Sequence, residues 1–104
     1  MSRLAKRTDG NHSLVVEQLR EALPEANIFD SSGAGRGFPD LVIGWKGFNF
    51  LVELKNPARG RTRLTKAQVG FHENWQGPIF IAHSSLEVLA HIARFILNHY
   101  ERRH

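Results

Sequence analysis

The sequence predicts an α/β domain with the element order α-β-β-β-α-β-α, on three observations. Two runs rich in β-branched and aromatic residues, Phe38 to Trp45 and Phe48 to Lys55, meet at Lys46-Gly47, which is the pattern of a β-hairpin. Apolar residues recur at helical spacing near both ends of the chain. Thr65 with Gln68, and Ser84 with Glu87, have the spacing of capping boxes and open two helices.

Taken in order, residues 1–10 are basic and polar and read as a loose N-terminal arm, with one domain over 11–104. The first helix begins near Asn11; Leu14, Val15, Leu19, Ala22 and Leu23 make its apolar face, and Pro24 ends it. Residues 26–30 can form a short strand, and 31–37, with glycine at three of seven positions, read as a flexible loop. After the hairpin, residues 56–63 carry three arginines and break the strand pattern. A helix follows over about 66–75 until Gly77-Pro78, then a fully apolar strand over 79–82. Leu86, Leu89, Ala90, Ala93, Ile96 and Leu97 mark a long final helix.

The hairpin brings chemistry together. With Lys46-Gly47 as a two-residue loop, Trp45 faces Phe48, and the same register sets Asp40 opposite Glu53. Side chains alternate along a strand, so Glu53 and Lys55 share a face and Leu54 points to the other. Two carboxylates that close repel each other, and burial adds to the cost unless a cation or proton compensates. Mg²⁺ or Mn²⁺ is a natural compensator, because it takes one or two carboxylates plus water and substrate phosphate. Lys55 would then position water or neutralise phosphate. The plain alternative is an edge ion pair of Lys55 with Glu53 or Asp40.

A chain of 104 residues with 41% hydrophobic content makes one domain with a modest core. A net charge of +4 and a pI near 10.1 point to a polyanionic partner. Cysteine is absent, which removes disulfides and thiolate metal sites and suits a reducing cytosol. No apolar run has transmembrane length and the N-terminus lacks a signal-peptide core, so a cytoplasmic, membrane-free protein is expected.

In this order, Pro39-Asp40 followed by Glu53-Leu54-Lys55 resembles the PD-(D/E)xK nuclease superfamily. Within it the chain resembles the VRR-NUC family. That likeness rests on Gly35-Arg36-Gly37-Phe38-Pro39-Asp40-Leu41, Leu64-Thr65-Lys66-Ala67-Gln68 and Trp75-Gln76-Gly77-Pro78, and spans roughly residues 9 to 92. It is similar to small stand-alone members from phages and bacteria, which implies a phage or bacterial host cytoplasm.

The resemblance implies a restriction endonuclease-like core, a mixed central sheet flanked by helices, and Mg²⁺- or Mn²⁺-dependent hydrolysis of DNA. Asp40 and Glu53 would hold the metal, with the Leu54 backbone carbonyl as third donor. Lys55 matches the family's catalytic lysine and Gln68 its glutamine on the following helix; Gln68 also reads as part of the capping box. Some superfamily members add an acid from the first helix, for which Glu17 is the candidate; Asp9 and Asn11 lie at the helix entrance.

Arg36, Arg59, Arg61, Arg63 and Lys66 flank the site in sequence and could grip phosphates, or form a solvated basic loop. Trp45 and Trp75 could stack on exposed bases, but both fall in apolar patterns and read as core. The six histidines lack zinc-ligand spacing, and His72 reads as a surface residue. The expected function is a structure-selective DNA endonuclease. A Holliday-junction resolvase-type nuclease and a non-catalytic DNA-binding module on a nuclease scaffold are the alternatives. Symmetric cutting of two strands would require a homodimer.

Overall fold

The computed structural model describes residues 11–59 and 63–103. Its elements are α1 (His12–Ala22), β1 (Asn27–Asp30), β2 (Leu41–Trp45), β3 (Phe48–Leu54), a 3-10 turn (Pro57–Arg59), α2 (Lys66–Asn74), β4 (Ile79–Ala82) and α3 (Ser85–Arg103). The fold is therefore mixed α/β, with the strands in spatial order β1-β2-β3-β4. The first three pair antiparallel, and β4 joins β3 in parallel after the α2 crossover.

Lys46 and Gly47, with φ of 52° and 85°, make the two-residue turn in which both central residues are left-handed. That turn sets Trp45 against Phe48, Ile43 against Phe50 and Leu41 against Val52. Its register decides which face each side chain takes. Leu41, Ile43, Phe50, Val52 and Leu54 form the buried face, against Val15, Val16, Leu19 and Leu23 of α1 and Val88 and Ile92 of α3. Asp40, Glu53 and Lys55 fall to the opposite face, beside α2.

Both long helices keep part of the expected face, Val15, Leu19 and Leu23 near the first and Leu89 and Ile96 on the last, and shift the rest. On α1, Leu14 and Ala22 are exposed and Val16 is buried; on α3, Leu86, Ala90, Ala93 and Leu97 are exposed, and Val88, Ile92, Phe95 and Ile96 pack inward. Each helix carries adjacent apolar residues that fit two stripes, and docking on the sheet selects one. The segment read as a flexible loop folds as two hydrogen-bonded turns, Ala34 N–H to the Ser31 carbonyl (3.0 Å) and Phe38 N–H to the Gly35 carbonyl (3.1 Å). β2 starts at Leu41, so Phe38 to Asp40 lie outside the strand. At α3 the box is partial: Ser84 Oγ accepts from the Glu87 amide (3.2 Å), but Glu87 Oε1 returns to the His83 amide (2.8 Å). Among the described residues no helix is long and apolar enough to cross a membrane.

Candidate active site

Asp40 is fixed by its backbone before its carboxylate is used. Ser31, at the end of β1, donates its amide to the Asp40 carbonyl (2.8 Å) and its hydroxyl to the Pro39 carbonyl (2.8 Å). The β2–β3 ladder ends at Leu41↔Val52, and just beyond it Asp40 reaches β3 with its side chain: Oδ2 accepts the Leu54 amide at 2.9 Å, beside the Glu53 carboxyl. Leu54 thus enters the site through its backbone while its side chain packs in the core.

Glu53 is 2% exposed. Its Oε2 accepts from Gln68 Nε2 (2.8 Å) and lies 3.6 Å from Lys55 Nζ, which donates to Gln68 Oε1 (2.9 Å). Gln68 Oε1 also accepts the Thr65 amide (2.8 Å), and Thr65 Oγ1 accepts the Gln68 amide (3.2 Å). The capping box and the charged cluster are one network: the residue that starts α2 also orients Glu53 and Lys55.

Gly37 lets α2 come this close. A Cβ built there would collide with the Ala67 backbone carbonyl and reach the Gln68 nitrogen at 3.0 Å, and φ is +80°. Only glycine satisfies both conditions.

The pair is short of positive charge. Burial, then the Asp40 carboxylate, push Glu53 up to about 8 against the pull of Lys55. Burial also raises Asp40, against the Leu54 amide. Glu53 Oε1 is buried with no N–H or O–H donor beside it, and the Asp40 and Glu53 carboxyls lie within hydrogen-bond reach of each other, so without a cation a proton shared between them offsets their repulsion. Two facing carboxyls that need either a shared proton or a cation fit a hard divalent ion. Among the described residues no third histidine or acid joins them.

Glu17 forms no metal-holding group of three acids or histidines with this pair among the described residues. α1 covers the buried face of the sheet, so Glu17 is carried to an open polar cleft with Arg20 and Asp30. His12 is the α1 residue whose charge bears on Asp40; it is buried, with Nε2 3.3 Å from Asp30 Oδ2. Asn11 Nδ2 donates to the His83 carbonyl (3.1 Å). Arg36, Arg63 and Lys66 are exposed. Arg36 takes φ 59°, a conformation that costs a non-glycine residue roughly 1–2 kcal/mol. Asp9, Arg61 and the Arg59 side chain lie outside the described residues.

Three residues depart from their sequence reading. His72, expected at the surface, is half-buried one helical turn beyond Gln68; its Nε2 is buried without a partner, and burial, then Lys55, lower its pKa. The i, i+4 spacing from Gln68 was the available signal. Ser31 looked like one more loop serine. Trp75, expected in the core, is 43% exposed, because α2 buries none of its residues; Trp45 does pack on the core.

No family model, no characterised protein and no solved structure matches this chain.

Proposed function

We propose that the chain is a metal-dependent DNA endonuclease that hydrolyses phosphodiester bonds, on a restriction endonuclease-like core, and is selective for DNA structure. The observation that carries this reading is Glu53: a buried carboxyl beside Asp40, with one oxygen held by Gln68 and no positive donor on the other, so that the pair needs a proton or a cation between them. The motif resemblance to VRR-NUC nucleases supports the same reading. An ion pair built only for stability gains nothing from a second buried carboxylate.

Asp40 and Glu53 would hold Mg²⁺ or Mn²⁺, with the Leu54 carbonyl as the third protein donor. A divalent cation held there supplies charge that stabilises a phosphoryl group under attack. Lys55 is fixed by Gln68 Oε1 at 2.9 Å, so its ammonium meets a phosphate oxygen or the attacking water without first losing rotamer freedom. Gln68 keeps Glu53 Oε2 occupied, which would leave the other oxygen to a bound cation. Arg36, Arg63 and Lys66 add phosphate contacts that carry affinity but no sequence reading.

The test is cleavage of labelled single-stranded, duplex, flapped and four-way-junction DNA with Mg²⁺, Mn²⁺ or EDTA. Metal-dependent cutting is expected. It should be lost in Glu53→Ala and fall by about a hundredfold or more in Lys55→Ala, with Lys55→Ala still folded and binding DNA. Full activity in Lys55→Ala overturns the assignment; binding without cutting in the wild type points to the scaffold-only module.

A further inference from the structure

Gln68 and Phe71 lie at i and i+3 on one stripe of α2, and Trp75, the residue that caps the helix, continues it at i+7. The first reaches the charged cluster; the other two are aromatic. Phe71 packs edge-on against Phe38 (5.2 Å between centroids, 73°), two residues before Asp40, and stacks on Trp75 (5.3 Å, 17°). Gly77 closes the arrangement: a Cβ there would sit 3.1 Å from the Trp75 indole nitrogen, so glycine lets the turn lie against the ring. The indole is held on two sides, yet Trp75 stays 43% exposed.

We propose that Trp75 is a stacking platform for an unpaired nucleobase within about three nucleotides of the scissile phosphate, so that the preferred substrates carry unpaired bases close to the cut. The inference rests on the nuclease reading above. Seven residues of helix place Trp75 roughly 10 Å from Gln68, on the order of three base steps along one strand. A base inside a continuous duplex is stacked on its neighbours and cannot lie on the ring; an unpaired one can. Exposed Arg63 and Lys66 lead into the same helix and complement a polyanion rather than a second copy of this basic chain. Every base has a π-face, so the platform selects structure and tolerates any sequence.

The experiment is a titration in EDTA with oligothymidylate or with a blunt duplex, followed by intrinsic tryptophan fluorescence and by anisotropy of labelled DNA, and repeated with Trp75→Ala and Trp75→Phe. Single strands should quench the wild type, and most of the quenching should vanish in Trp75→Phe, where Trp45 is the remaining tryptophan. Affinity for the single strand should fall about tenfold or more in Trp75→Ala and be largely restored in Trp75→Phe, with duplex affinity unchanged. Equal loss on both DNAs, no quenching, or a change in mass by light scattering in Trp75→Ala overturns the platform, the last in favour of a contact between copies. Binding of neither DNA by the wild type overturns the nuclease reading as well; binding of both without dependence on Trp75 overturns the platform alone.

Discussion

Glu53 concentrates the energetic tension of the molecule in one side chain. Its carboxyl, normally near 4.5, is raised to about 8 by burial and then by Asp40, so between those values the folded chain keeps a proton that the unfolded chain gives up. Stability without metal must therefore decline as pH rises from about 4.5 to about 8 and level off above that. Burial moves Asp40 in the same direction. A divalent cation compensates only ionised carboxylates, so the thermal stabilisation it confers should grow with pH across the same window. Unfolding midpoints at about pH 5.5 and about pH 9, with and without Mn²⁺, measure both slopes. Glu53→Gln should flatten them; an equal Mn²⁺ effect at the two pH values would refute the linkage.

At the scale of elements, α2 is held to the body by few contacts: the close approach at Gly37, the Phe38 edge on Phe71, and the Gln68 network. The cap and the site share Gln68, and two substitutions separate them. Thr65→Ala removes the oxygen that accepts the Gln68 amide, costing about 1 kcal/mol. It keeps the backbone amide that Gln68 Oε1 accepts, so cleavage should stay near wild type. Gln68→Ala removes the contacts to Lys55 and Glu53 as well, and should lower cleavage on the order of a hundredfold. Unfolding curves and single-turnover rates give the two quantities; equal activity loss in both variants would mean that only the helix start matters. These elements also show what was legible beforehand. The hairpin was, because its turn fixes the register locally as far as Leu41↔Val52; Asp40 follows directly, and Ser31 holds it where it meets Glu53. The helix faces were legible only in part: Val15, Leu19 and Ile96 pack as their spacing predicts, but Leu14, Val15 and Val16 are consecutive and fit more than one stripe, and the choice among them belongs to the sheet beneath. Ser31, His12, His72 and Trp75 take their roles from tertiary docking, which leaves no mark at a fixed spacing.

At the scale of the whole molecule, the sheet separates two duties. One face carries the core with α1 and α3, and the other holds the acidic pair at the end of the hairpin away from its turn. A chain of net charge +4 attracts a polyanion wherever its cations sit, so the question is whether those near the site act as contacts or as bulk charge. Each phosphate neutralised contributes about 0.9 to the slope of log affinity against log salt on duplex DNA. Bulk charge gives no such fixed increment and is screened over roughly 8 Å at physiological ionic strength. Arg36, Arg63 and Lys66 together should therefore account for up to about 2.7 of that slope, and the Arg36→Ala/Arg63→Ala/Lys66→Ala variant should lose it. Lys46 supplies the control. It sits at the hairpin turn with its ammonium 5.2 Å from the Trp45 ring centroid, roughly 20 Å along the strands from Asp40 and Glu53, and Lys46→Ala should leave the slope unchanged. Fluorescence anisotropy across a salt series reads both. If Lys46→Ala lowers the slope as much as one of the three site cations, the basic character of the chain is general attraction and the three do not grip the strand.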